Sequence, residues 1–197
     1  MQIKALLITP LVAAGVVSAA PKASSTPKST YFNGLALRSA SPVHFSYLQA
    51  SKESFELKLK NQGATCDDLK KHNEATFHLY GDELWLHSIG NPGQQAYVDF
   101  SGMGQGKFGY TTGAQPIPKN AQRKGWKIDK DGILTCDGAN FVACPNGDNL
   151  EKTSWSVWVY NSIDNPGGNK NCIPFSVKAA KVEKPVGCMY SAIQPTL

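Results

Sequence analysis

The sequence predicts an all-β protein folded as a single compact domain. Two observations carry this prediction. Apolar residues recur at every second position in many short stretches, and clusters of Gly, Pro, Asn and Asp separate those stretches. Only residues 67–73 (DDLKKHN) fit a helix, of one or two turns at most. Many short strands joined by tight turns are typical of a closed barrel or a sandwich.

The predicted strands follow one another along the chain with the same alternation. Turn residues stand between them, as at Gly81-Asp82, Asp131-Gly132 and Asn165-Pro166. The alternating apolar positions are Val43, Phe45 and Tyr47; Phe55, Leu57 and Leu59; Phe77 and Leu79; Leu84 and Leu86; Trp155, Val157 and Val159; and Ile173, Phe175, Val177 and Ala179.

A faint internal repeat favours one barrel architecture. Residues 77–84 and 126–134 each read as a hairpin around an acidic turn, and each is followed by a short apolar strand and an aromatic strand. Residues 32–59 are a candidate third copy. Three copies would form a β-trefoil-like barrel, which is capped by hairpins; a β-sandwich is the alternative.

The N-terminus reads as a secretory signal over residues 1–19. Lys4 is followed by an apolar run, and small residues precede the expected cleavage between Ala19 and Ala20. Residues 20–30 form a flexible Ser/Thr/Pro lead-in, residues 31–190 the all-β domain, and residues 191–197 a polar tail. That tail lacks the apolar stretch of a glycolipid-anchor signal, so no membrane anchor is expected.

Charge and cysteine content narrow the class of protein. The formal net charge is +5, and loss of Lys4 with the signal leaves +4, without the basic stripe that nucleic-acid binding requires. A secreted chain should pair most of its cysteines, but five is an odd number, and the sequence alone does not give the pairing. The five are Cys66, Cys136, Cys144, Cys172 and Cys188. None has spacing appropriate to zinc.

Residues 101–126 form the most distinctive stretch, the glycine segment. It reads SGMGQGKFGYTTGAQPIPKNAQRKGW. The spacing does not match a nucleotide-binding loop, and no helix follows. The segment predicts a glycine-kinked strand, Lys107–Thr112, and then a long exposed loop with Pro116 and Pro118.

The glycine segment closely resembles the fungal cell wall protein PhiA family. Looser similarity extends to the N-terminal signal, to residues 64–66, 75–77, 143–145, 155–158 and 165–166, and to Cys188. The resemblance thus covers nearly the whole mature chain. The resemblance implies a secreted wall protein without enzymatic activity that acts in phialide and conidium formation. It also implies two disulfides, Cys144–Cys172 and Cys66–Cys188, with Cys136 left as a free, buried thiol.

The remaining residues contain no recognisable catalytic or metal-binding motif. None of His44, His72, His78 and His87 lies in a metal-ligand motif, and no nucleophile elbow occurs. Two carboxylates could serve glycoside hydrolysis, although turns account for Asp82 and Asp131. The acidic candidates are Asp82, Glu83, Asp99, Asp129 and Asp131. We therefore expect no catalytic residue, metal or cofactor.

Aromatic side chains are the candidate ligand contacts, because they can stack on sugar rings. Trp155 and Trp158 face opposite sides of one strand, and we expect Trp158, with Tyr160, on the outer side. Tyr110 and Trp126 complete the candidate set.

The sequence thus predicts a structural protein of the fungal cell wall. The alternatives are a lectin-like module that binds wall polysaccharide and a wall glycosidase. The expected partner is a wall polysaccharide or wall glycoprotein, and a monomer is favoured.

Overall fold

The computed structural model describes residues 30–192. Over that range the chain forms fifteen short strands, and its helical content is one 3-10 turn, Pro166–Gly168. The strands are β1 (Tyr31–Leu37), β2 (Gln49–Ser51), β3 (Ser54–Leu57), β4 (Thr65–Cys66), β5 (Thr76–Tyr80), β6 (Glu83–Leu86), β7 (Gln94–Asp99), β8 (Lys107–Thr112), β9 (Ala121–Gln122), β10 (Trp126–Ile128), β11 (Ile133–Cys136), β12 (Phe141–Pro145), β13 (Trp155–Val159), β14 (Ile173–Lys181) and β15 (Cys188–Met189).

Antiparallel pairing closes these strands into a barrel. The ring runs β1-β5-β6-β7-β8-β3-β13-β12-β14 and returns to β1, where Ala36 is paired with Val177. Closure leaves the ring without a free edge, so each strand has partners on both sides. The predicted all-β class, the closed barrel and the two disulfides are confirmed.

No helix among residues 30–192 has the length and apolar character needed to cross a lipid bilayer.

The barrel interior is filled by aromatic rings from neighbouring strands. Phe55 of β3 stacks on Phe108 of β8 with ring centroids 4.0 Å apart, and Phe77 and Phe141 extend the cluster on either side. All four side chains are buried. Each lies on the inward face of its strand, because alternate residues of a strand point to opposite faces.

The β10–β11 hairpin caps the barrel. Trp126, Leu134 and Cys136 of this hairpin are buried and belong to the core. The amide of Trp126 also donates a 3.0 Å hydrogen bond to the Asp82 carbonyl in the β5–β6 turn. The hairpin therefore completes the core instead of continuing the ring.

The units of the predicted repeat contribute differently to the barrel. In the first, β5, β6, β7 and β8 are successive neighbours. In the second, β14 lies between β11 and β12, so the hairpin and the strands after it are separated. In residues 32–59, β1 pairs with β5 and β14, whereas β2 and β3 form a hairpin of their own.

Two local predictions are wrong. The predicted strand through Val43, Phe45 and Tyr47 is mostly a turn, because Phe45 adopts a φ of 60° and its amide bonds back to Ala36. The predicted helical turn at residues 67–73 is an irregular loop: Leu69 has a φ of 58°, and the Asp68 carboxylate accepts the Lys70 amide. Such local side-chain bonds compete with helix formation.

Several sequence predictions fall outside the described residues. These are the signal over residues 1–19 with its cleavage between Ala19 and Ala20, nearly all of the lead-in at residues 20–30, and most of the tail at residues 191–197. They remain predictions.

Candidate functional site

The outer face of β13 carries the two aromatic residues that the alternation assigned to it. Trp155, Val157 and Val159 point into the core, so Trp158 and Tyr160 point outward. Tyr160 is 41% exposed, and Trp158 is half-buried. We call these two residues, with Lys107 and Ser156 beside them, the Trp158 surface.

Contacts with neighbouring strands fix the Trp158 indole. Lys107 lies opposite Trp158 in the β8–β13 register, and its Nζ stands 5.3 Å from the ring centroid. The indole Nε1 donates a 3.2 Å hydrogen bond to the Ser156 hydroxyl. A cation over the ring and a bonded N–H hold this side chain in one orientation.

The Lys107 ammonium is held by a hydrogen bond, and its pKa is affected by burial. Its Nζ donates a 3.1 Å hydrogen bond to the Ser54 hydroxyl. Burial lowers the pKa of Lys107, and the nearby Glu56 carboxylate opposes that shift. The Trp158 surface therefore combines an aromatic ring, a half-buried cation and a hydroxyl, a combination able to contact the hydroxyls and C–H faces of a sugar.

The loop of residues 161–172 crosses the barrel next to Trp158. A Cβ atom at Gly167 would stand 2.8 Å from Trp158 Cη2, so only a glycine lets the loop approach the indole this closely. The Gly167 amide donates a 2.7 Å bond to the Gln105 side-chain oxygen, and Asn161 donates a 2.8 Å bond to the Phe100 carbonyl. The start of the glycine segment and this loop thus hold each other.

Close packing accounts for Gly104, Gly106 and Gly109 in the glycine segment. At Gly104 a Cβ atom would overlap the Asp99 side chain, and at Gly106 it would overlap the Val159 carbonyl oxygen. At Gly109 it would stand 2.8 Å from the Glu53 carbonyl oxygen. The kinked strand Lys107–Thr112 predicted from the sequence is β8.

The loop after β8 is packed on the barrel by Arg123. The Arg123 guanidinium donates to the Gln95 side chain (2.8 Å), the Thr111 hydroxyl (3.0 Å) and the Gln115 carbonyl (3.2 Å). Further along, β9 pairs with β7. The long exposed loop that the sequence predicts after this strand is therefore held against the barrel at several points.

Tyr110 and Trp126 are not surface residues, which corrects their assignment as ligand contacts. Both are buried in the core. Tyr110 donates its hydroxyl proton to the Ser191 carbonyl, and burial raises its pKa. Trp126 packs on Phe108 at 5.1 Å between centroids, as part of the hairpin cap. A sugar ring could reach neither side chain without opening the barrel.

The acidic candidates are spread over separate turns and strands. Asp129 accepts the amides of Asp131 (2.9 Å) and Ile133 (2.8 Å), so it stabilises the β10–β11 turn. Glu83 accepts a 2.9 Å bond from Gln95, and the buried Asp99 accepts the Ser101 amide at 2.9 Å.

Asp82, the fifth acid, lies in the β5–β6 turn. Two cavities among residues 30–192, one of about 360 Å³ and one of about 120 Å³, are lined by none of these five acids.

The four histidines are half-buried and lie in three separate places. His44 stacks on the exposed Phe45, and His72 bonds to Asp68 at 2.9 Å. His78 and His87 lie together around Tyr31, and burial lowers the pKa of both. Within residues 30–192 no three His, Cys, Asp or Glu side chains gather as a metal site would require.

The cysteines pair as the resemblance implied. Cys66 bonds to Cys188 and joins β4 to β15, and Cys144 bonds to Cys172 and joins β12 to the loop before β14. Cys136 is a free thiol buried in the core. Burial raises its pKa to about 12.

Sequence reasoning missed two features of this region. It did not find Lys107 above Trp158, which depends on the β8–β13 register. It also missed the cavity of about 360 Å³ beside the Cys144–Cys172 disulfide. The sequence feature that could have indicated this cavity is the group of asparagines near those two cysteines: Asn146, Asn149, Asn169 and Asn171.

Comparison with known proteins gives one consistent result. Residues 32–191 match the family model described as PhiA-like secreted protein. The chain is 37% identical over 191 residues to the cell wall protein phiA of Aspergillus fumigatus, which covers 97% of this chain and 100% of that relative. It is 38% identical over 180 residues to the cell wall protein phiA of Emericella nidulans, with 91% and 95% covered.

The similarity reaches a third fungus. The cell wall protein phiA of Arthroderma benhamiae is 35% identical over 195 residues, with 97% of this chain and 100% of that relative covered. No solved structure matches the chain.

Proposed function

The chain belongs to the family of PhiA-like secreted proteins, as a secreted protein of the cell wall, and we propose that it acts there as a structural, non-catalytic component during phialide and conidium formation. The name "cell wall protein" of its relatives supports the location. The role in development and the absence of catalysis are our inference.

The observation that carries this proposal is that the glycine segment packs closely against the rest of the barrel. Gly106 and Gly109 allow a close approach of the backbone at Val159 and Glu53, and Gly104 leaves room for the Asp99 side chain. Arg123 binds the following loop to β7 and β8. The stretch that carries the resemblance is therefore engaged in holding the barrel together. Among residues 30–192, the two cavities are lined by none of the five candidate acids. A cross-linked barrel of this kind suits a protein whose presence in the wall is its contribution.

The role is tested in the fungus that produces the protein. Deletion of the coding gene should reduce the number of phialides and conidia, and the wild-type gene should restore them. Genes for Glu83→Gln and Asp131→Asn should restore them equally, because a structural role needs no carboxylate at either position. Normal sporulation of the deletion strain, or failure of a normally secreted acid variant, would contradict the proposal.

A second candidate function is binding of wall polysaccharide at the Trp158 surface. Tyr160 is 41% exposed next to a Trp158 indole that Lys107 and Ser156 hold in place. Aromatic side chains held in this manner can stack on sugar rings without losing much side-chain freedom on binding.

Polysaccharide binding can be tested with a matched pair of tyrosines. Purified protein should sediment with insoluble β-glucan, chitin or mannan, and Tyr160→Ala should reduce retention about threefold to tenfold, as expected for loss of one aromatic contact. Tyr80→Ala is the control, since Tyr80 is 71% exposed on the β5–β6 hairpin. Equal retention of the two variants would exclude the Trp158 surface as the binding site.

A further inference from the structure

The cavity of about 360 Å³ lies at the end of β12, beside the Cys144–Cys172 disulfide. The β12–β13 connection forms one wall, with Asn146, Asp148 and Leu150, and Lys170 and Asn171 form the other. The disulfide joins the two walls, because Cys144 directly precedes Pro145 of the first wall and Cys172 directly follows Asn171 of the second. The walls are thus held at a fixed separation before any ligand arrives.

The cavity offers both hydrogen-bond donors and acceptors. Among residues 30–192, nothing in the protein hydrogen-bonds to the side chains of Asp148, Lys170 or Asn171. Asn146 is oriented by bonds from its Nδ2 to Glu56 (3.1 Å) and Ser154 (2.9 Å), which leave its side-chain oxygen without a protein donor. The lining thus provides a carboxylate, an ammonium and two amides.

We propose that this cavity is a saccharide subsite that takes one pyranose unit of a wall polysaccharide. A sugar presents several hydroxyls, each both donor and acceptor, so it matches a lining that mixes carboxylate, amide and ammonium groups. Leu150 is 37% exposed and supplies an apolar surface for the C–H face of the ring. The volume lies within the range of small-molecule pockets. The inference rests on polysaccharide binding, the second candidate function above.

The subsite lies within reach of the Trp158 surface. Gly167 contacts the Trp158 indole, and Lys170 follows three residues later, a span of at most about 10 Å. The proposal therefore includes one glycan chain that contacts both places. The ligand is then an oligosaccharide. It should bind more tightly than a single sugar, because once one end is bound, the second contact forms within the same complex.

The test is an NMR titration of the wild-type, disulfide-bonded protein. Hexasaccharides of β-glucan, chitin and mannan are added separately, which identifies the polymer that supplies the sugar. The reporters are the side-chain amides of Asn146 and Asn171 for the cavity and the indole N–H of Trp158 for the aromatic surface. We expect one of the three ligands to shift both sets of signals with the same Kd.

Matched variants separate the two sites. Asp148→Ala should weaken binding of that hexasaccharide about tenfold, as loss of hydrogen bonds to a charged group would. Asp164→Ala, which removes an exposed acid of the 161–172 loop away from the cavity, should leave the Kd unchanged. Both positions are exposed, and the dispersion of the amide spectrum verifies folding.

Two outcomes overturn the subsite. If the Trp158 indole shifts while the cavity amides do not, and Asp148→Ala binds as the wild type does, polysaccharide binding stands and the subsite falls. If no hexasaccharide shifts any reporter and the protein does not sediment with polysaccharide, both fall together.

Discussion

The amide of Val159 donates a 2.9 Å hydrogen bond to the Gly106 carbonyl, while the Val159 carbonyl faces the Gly106 Cα so closely that no Cβ atom could be placed there. Gly106 also has a φ of 86°, a backbone conformation that residues other than glycine rarely adopt. This contact joins the glycine segment to β13, which carries the Trp158 surface. A change at Gly106 should therefore affect both stability and the presentation of Trp158.

Gly106→Ala should lower the free energy of unfolding by about 2–4 kcal/mol, from the left-handed conformation and the overlap with Val159. Gly102→Ala is the matched control, because Gly102 is exposed and nothing lies within 4 Å of its added Cβ. It should change stability by less than about 0.5 kcal/mol. Urea unfolding followed by tryptophan fluorescence measures both. Equal stabilities would show that the contact is not needed.

The Cys136 thiol should be unreactive in the native protein. Its pKa is raised to about 12 by burial and by the charge of Asp137, so little thiolate forms near neutral pH. Iodoacetamide should label this one cysteine only after unfolding, as read by peptide mass spectrometry. Labelling of the folded protein at the rate of the unfolded chain would contradict the buried position.

The two disulfides should differ in their contribution to stability. Cys66–Cys188 spans 122 residues and Cys144–Cys172 spans 28, so the first removes more entropy from the unfolded chain. Replacing Cys66 and Cys188 by Ala should cost about 5 kcal/mol, and replacing Cys144 and Cys172 about 3.5 kcal/mol. Urea unfolding of the two double variants gives the comparison. A larger loss in the second would count against this ranking.

Two histidines should give stability opposite dependences on pH. Burial lowers the pKa of His78, with a smaller effect from His87, so the unfolded chain binds a proton there more readily than the native one. Stability from His78 should fall as the pH drops below about 6.5, the ordinary histidine value. The free energy of unfolding of His78→Gln, relative to that of the wild type, should therefore be higher at about pH 5 than at about pH 8.

His72 should show the reverse. Its hydrogen bond to Asp68 raises its pKa, so the bond contributes fully below about pH 6.5 and is lost as the pH rises through the native pKa. His72→Gln should then compare less favourably with the wild type at about pH 5 than at about pH 8. Urea unfolding at the two pH values gives the free energy of unfolding of each variant relative to the wild type. If this difference changed with pH in the same direction for both variants, the assignment would be contradicted.

Much of the barrel could be predicted because a strand buries alternate residues. That rule placed Phe77 and Leu84 on inward faces of a hairpin and separated Trp155 from Trp158. It failed at Phe45, because alternation contains no information about a positive φ.

The site was predicted less fully, because it depends on pairing between distant strands. Local patterns predict the strand Lys107–Thr112 and the hairpin at residues 126–134, but they do not show that Tyr110 and Trp126 are buried there. The Lys107–Trp158 contact needs the β8–β13 register. The cavity forms only when the Cys144–Cys172 disulfide brings two asparagine-containing loops together.

The most direct test of a structural role in the wall is to mix the purified mature protein with isolated fungal cell walls and to follow two quantities. We predict that the protein sediments with the walls and that no reducing sugar is released beyond the level given by heat-denatured protein. Release of sugar that depends on the folded protein, or recovery of all the protein in the supernatant, would contradict the account.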